Sequence, residues 1–89
     1  MREIVVTSQF KRDYKKRFRD SGLDTLLSEV IDKLVLGGPV PSKFRDHTLK
    51  GSYGGCCECH LKPDLLLIYV RTELELRLIR LGSHSDLFA

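Results

Sequence analysis

The chain has 89 residues, 42% hydrophobic and 30% charged, with a formal net charge of +3. That length holds a single core, and that composition excludes a disordered chain. No apolar run approaches membrane-spanning length and the polar N-terminus is no signal peptide, so a cytosolic protein with no membrane contact is expected.

Glu3-Ile4-Val5-Val6-Thr7 is short and β-branched, and reads as a strand. Thr7 or Ser8 can cap the helix that follows, in which Phe10, Tyr14 and Phe18 recur every fourth residue. Six of the nine residues from Lys11 to Arg19 are basic, so this helix can face phosphates, an acidic protein or solvent. Ser21-Gly22 should end it. Asp24 or Thr25 can cap a second helix, whose Leu23, Leu26, Leu27, Val30, Ile31 and Leu34 follow the helical period until Gly37-Gly38-Pro39 stops it. Residues 40–51 read as a loop with a short strand near its end. Tyr53 to Leu61 suits a strand weakened at its start by Gly54-Gly55, and Pro63-Asp64 suits a turn. Leu65 to Val70 is continuously apolar, as in a strand buried on both faces. Leu74, Leu76 and Leu78 then alternate with polar residues, while Ile79 and Leu81 break the alternation and point to a bulge or double burial. Gly82 begins a tail that can fold back over the sheet.

The order β-α-α-β-β-β implies one α+β domain. Its late strands form an antiparallel meander, and a two-helix hairpin packs on one face. The other face is expected to be partly open, so that polar residues from strand ends converge there.

The histidines are three: His47, His60 and His84. Each lies at a turn or strand end, and Glu58 shares a strand face with His60 because side chains two apart project alike. Asp64 follows His60 across the turn.

Three blocks carry a resemblance: Asp46-His47-Thr48-Leu49-Lys50-Gly51, then His60-Leu61-Lys62-Pro63-Asp64 running on to Tyr69, then Arg80-Leu81-Gly82-Ser83-His84-Ser85-Asp86-Leu87-Phe88. In order and spacing they resemble the YafQ-like branch of the RelE/ParE toxins; the helical half agrees in pattern alone. The resemblance implies a RelE-type domain over residues 1–89 that cleaves messenger RNA on the ribosome. It also implies neutralisation by a DinJ-like antitoxin, with operator DNA met through that antitoxin alone. By position, His47, His60, Asp64, His84 and Phe88 match the family's functional residues. Glu58 stands where the family carries an acidic residue, and Arg80 where it carries a basic one. Lys50, inside the first block, is assigned to RNA contact.

The chemistry suits these residue types. Attack by the RNA's own 2′-hydroxyl needs a base for that proton, an acid for the leaving 5′-oxygen and a cation near the phosphorane. Histidine fills either proton role, with His60 favoured as base and His84 as acid. Glu58 or Asp64 could orient an imidazole or act as base, Arg80 offers a fork to phosphate, and Phe88 can stack on a base. No cofactor or metal is expected. Each residue also has a plainer reading. His47 could hold a loop carbonyl, Asp64 serve the turn, Glu58 sit in solvent, Arg80 shield a strand edge and Phe88 plug the core.

The chain departs from the family where a tryptophan, an aromatic and an arginine are usual, carrying Tyr53, Cys56 and Cys57 instead. Cys56-Cys57-Glu58-Cys59-His60 thereby matches the C-x-x-C-H haem-attachment pattern. In a strand, however, Cys56 and Cys59 point to opposite faces, which disfavours both haem attachment and a zinc site built on these cysteines. Two other functions remain open: a same-fold toxin that binds a protein target such as gyrase, and an inactive antitoxin-binding remnant.

Overall fold

Both ends of the chain meet in one sheet. The computed structural model describes residues 1–88, and its strands are β1 (Glu3–Val6), β2 (His47–Thr48), β3 (Cys57–Lys62), β4 (Leu65–Arg71) and β5 (Glu75–Gly82). They lie in the order β1-β5-β4-β3-β2. β2 through β5 pair antiparallel in chain order, the expected meander, whereas β1 lies parallel to β5 and pairs Glu3 with Glu75 through Val6 with Leu78.

Helix α1 (Ser8–Arg17) starts where β1 stops, with the Thr7 hydroxyl accepting from the Phe10 amide at 3.0 Å. It ends before Phe18, earlier than the glycine predicted to end it, and Phe18 is largely exposed. Helix α2 (Leu23–Leu36) corrects the predicted cap. Neither Asp24 nor Thr25 caps it; left-handed Gly22 opens it, and Asp24 in its first turn accepts the Tyr14 hydroxyl at 2.6 Å. At its far end left-handed Gly37 stops the helix, with the Gly38 amide on the Lys33 carbonyl at 3.0 Å.

Leu23, Leu27, Val30 and Leu34 form the buried stripe of α2. With Phe10 and Phe44 they pack on Cys59, Leu61, Leu65, Leu67, Tyr69, Leu76, Leu78 and Leu81. Each buried leucine contributes roughly 1.5–3 kcal/mol, so this face carries most of the stability. The opposite face is not simply open. Leu66, Ile68 and Leu87 make a second, small cluster with Leu49, Tyr53, Cys56 and Ile79 beside it. Its cover is a short helix, α3 (His84–Phe88), where the sequence suggested only a tail. Gly82 makes that cover possible by being small, since a Cβ there would meet the Asp86 Cβ at 3.0 Å.

Two strand details position the site. β3 begins at Cys57 rather than Tyr53, because residues 51–53 form a 3-10 turn first. In β5 the pairing jumps from Ile68–Arg80 to Tyr69–Leu78, so Ile79 is an extra residue, the predicted bulge. Regular alternation would have put Arg80 in the main core with Leu76 and Leu78; the bulge gives that place to Leu81 and turns Arg80 toward the other face. No helix among the described residues is long and apolar enough to cross a membrane.

Candidate active site

The sheet register sets two rows on the face away from α1 and α2. One runs His47, Glu58, Ile68, Arg80 across β2 to β5, and the next runs His60, Leu66, Gly82 across β3 to β5. α3 follows Gly82 directly and brings His84 and Phe88 to the same end. The rings line up: His47 to His60 at 6.0 Å, His60 to His84 at 5.7 Å, His84 to Phe88 at 6.4 Å, and Phe88 edge-on to Tyr53 at 5.5 Å.

Glu58 is the buried centre of this row. It is 4% exposed, so it is not a solvated strand residue, and its Oε1 lies 3.1 Å from His60 Nε2 and 3.3 Å from His47 Nε2. A carbonyl can only accept, so His47 Nδ1–H donates to the Arg45 carbonyl at 2.7 Å. In that tautomer Nε2 carries a hydrogen toward Glu58 only when the ring is doubly protonated. Arg45 itself adopts φ +50°, a left-handed conformation rare outside glycine, which aims that carbonyl at the ring. His60 Nε2 lies at ion-pair distance from Glu58, and its buried Nδ1 has no hydrogen-bond partner.

His84 is held differently. Asp64 Oδ1 accepts both its backbone N–H at 2.9 Å and its ring Nδ1–H at 2.6 Å, which fixes the tautomer and leaves Nε2 outward. The backbone N–H and then the ring of His84 hold the Asp64 carboxyl below its ordinary range. Asp64 is therefore both turn residue and histidine anchor. α3 is locked by a capping box, Ser83 Oγ accepting from the Asp86 amide and Asp86 accepting from the Ser83 amide, both at 3.1 Å. Arg17 of α1 reaches Asp86 at 2.8 Å, and with the Ser83 N–H it lowers the Asp86 carboxyl to about 2.

Arg80 is anchored from outside the meander. Its Nε and Nη2 donate to Asp13 of α1 at 2.7 and 3.2 Å, and its Nη1 lies 3.4 Å from the Tyr53 hydroxyl, which donates to the Leu87 carbonyl. The Asp13 carboxylate raises the Arg80 guanidinium further above its usual value. Phe88 is 46% exposed and does not plug the core; its neighbour Leu87 does. Lys50 stands apart from the ring row, exposed at the entrance to the turn 51–53. Asp13, Tyr53 and Leu87 were missed as site builders in the sequence. The one available signal was Asp13, the single carboxylate inside the basic run.

The cysteines do not gather. Cys59 is buried in the main core and Cys56 packs beside the small cluster, on opposite faces. Desolvation pushes the Cys59 thiol up to about 12, which removes its thiolate at neutral pH. A different donor set does converge: His47, Glu58 and His60 each offer a ligand atom within 4.8 Å of the others. Two imidazoles and a carboxylate suit a borderline divalent ion.

Comparison with known proteins agrees over the whole chain. The family described as "Bacterial toxin of type II toxin-antitoxin system, YafQ" matches residues 2–89. The mRNA interferase toxin YafQ of Escherichia coli K12 is 36% identical over 91 residues, covering 98% of this chain and 96% of that protein. A metal-bound toxin from Helicobacter pylori superposes with a TM-score of 0.90 at 42% identity, over 99% of this chain and all 100% of that one. A chain of the E. coli DinJ-YafQ toxin-antitoxin complex superposes at a TM-score of 0.83 with 34% identity, over 99% of this chain and 98% of that one.

Proposed function

This chain belongs to the YafQ family of bacterial type II toxin–antitoxin toxins, and from that premise we propose that it is an endoribonuclease that cuts messenger RNA on the ribosome. The observation that carries the reading is the row of three imidazoles backed by two carboxylates, with a guanidinium anchored two strands away. A toxin that only bound a protein target would need no such convergence of proton carriers.

In the proposed reaction the RNA 2′-hydroxyl attacks the adjacent phosphorus, a P–O bond forms, and the bond to the 5′-oxygen breaks. The hydroxyl proton passes to the Glu58–His60 unit. His60 takes it on Nε2 in the tautomer that carries its proton on the buried Nδ1, once Nε2 turns from Glu58. His84, with Nδ1 fixed on Asp64, gives the proton on Nε2 to the leaving 5′-oxygen. His47 and Arg80 supply positive charge to the phosphorane, and Phe88 offers an exposed ring face to a base. Lys50 contributes a mobile charge to the RNA path. A cognate antitoxin, as DinJ is for YafQ in E. coli, would neutralise the protein.

The donor set of His47, Glu58 and His60 would hold a divalent ion, and the H. pylori relative is a metal-bound toxin. Such an ion would act there as a Lewis acid and would displace the protons of both Nε2 atoms. The chain already carries a base, an acid and a cation, so cleavage is expected to persist in a strong chelator. Translating ribosomes incubated with the protein test both statements: specific cuts in the message with chelator present are expected. Intact message in every condition would remove the nuclease reading, and activity lost in chelator but restored by one divalent ion would replace the metal-free mechanism.

A further inference from the structure

Asp13 is a carboxylate in an unfavourable place, on a helix of cations and only 6% exposed. Burying it is costly unless its oxygens are hydrogen-bonded, and both are. Oδ2 accepts from Arg80 Nε at 2.7 Å and from the Leu81 amide at 2.9 Å, and Oδ1 accepts from Arg80 Nη2 at 3.2 Å. The Leu81 amide is available because β1 ends opposite Leu78, so β5 has no strand neighbour on that side beyond the bulge. α1 occupies the vacated edge and supplies a side chain as acceptor.

The grip on Arg80 is side-on. Asp13 takes one hydrogen from Nε and one from Nη2, and Tyr53 stands beside one on Nη1. One N–H on each terminal nitrogen is left, forming the end-on edge that matches two phosphate oxygens. A free arginine would have to be ordered at the moment of reaction; this one is ordered beforehand.

We propose that Asp13 is a positioning residue for the reaction, holding Arg80 side-on so that its end-on edge is presented to the scissile phosphate. The inference rests on the nuclease reading above, and Asp13 itself touches no substrate. α1 thus has two jobs on two sides, with its lysines and Arg12 toward solvent and Asp13 inward against β5.

The test is a double-mutant cycle with Asp13→Asn and Arg80→Ala, reading cleavage on translating ribosomes and the NMR signal of the Arg80 Nε–H. Asp13→Asn should lower kcat by at least roughly tenfold with little change in KM, and should add nothing to the loss in Arg80→Ala. The Nε–H signal should lose its downfield position while core amides stay in place. Arg80→Lys, which keeps the charge without the fork, should lose as much as Asp13→Asn. An equal fold-loss from Asp13→Asn in both backgrounds overturns the proposal, as does full activity in Arg80→Lys or in an Asp13→Asn protein whose Nε–H signal has collapsed. Should the unaltered protein cut no RNA, the nuclease reading alone falls, and positioning is read from adenosine 3′-monophosphate binding. Roughly tenfold weaker binding to Asp13→Asn than to the unaltered protein supports it; equal binding, or none to either, overturns it.

Discussion

The two faces of the sheet are built on opposite terms. Toward α1 and α2 the strands present leucines, Tyr69 and Cys59, closed under the two helices. Away from them the same strands present Glu58, His60 and Arg80 around the much smaller cluster of Leu66, Ile68 and Leu87. β4 belongs to both, with Leu67 and Tyr69 facing the helices and Leu66 and Ile68 the other side. The lesson is a division of labour. A buried glutamate with two imidazoles and an orphaned ring nitrogen is destabilising, and a short domain tolerates it because the other face supplies the apolar burial.

The largest expected effect strikes the stabilising face. Leu67→Ala removes a fully buried side chain and should cost on the order of 2–5 kcal/mol, lowering the melting midpoint by more than about 10 °C. Calorimetry showing a shift of only a few degrees would mean the helix face is not where stability resides. The next effect belongs to the chemical face. His84→Ala and His60→Ala should each lower RNA cleavage by roughly a hundredfold, typical of a lost proton carrier, with the melting midpoint held. A mutant that cleaves normally removes its histidine from the mechanism; one that melts early blurs the division between faces. The smallest effect lies at the rim, where the Phe88 ring faces Tyr53 and His84. Phe88→Ala should lower cleavage by roughly tenfold, the worth of one stacked base, and shift melting by no more than a few degrees. Strong destabilisation there would make α3 part of the structural core.

Much of this contrast is legible in the residues themselves. The period of Leu23 to Leu34, the unbroken run Leu65 to Val70 and the shared parity of Glu58 and His60 state the layers and the side on which polar groups gather. What the sequence does not show depends on long-range geometry. The parallel pairing of Glu3 with Glu75 joins segments with no local signal for one another. Gly22 opens α2 by its left-handed backbone, which overrode the side-chain caps at Asp24 and Thr25. α3 is short enough to read as a tail until Ser83, Asp86 and Arg17 are seen together. The Asp13–Arg80 pair spans most of the chain and is invisible to any periodicity.

The bulge at Ile79 makes the identity of the two faces a matter of parity. If Ile79 took an ordinary place in the ladder, Arg80 would swing under the helices and Leu81 would take its seat beside Tyr53. Deleting Ile79 would leave both faces as they are, because Leu78 and Arg80 would then be neighbours opposite Tyr69 and Ile68, whereas flattening the bulge with Ile79 kept would exchange inside for outside. The spacing of β5 is therefore as much a part of the proposed chemistry as the residues it carries.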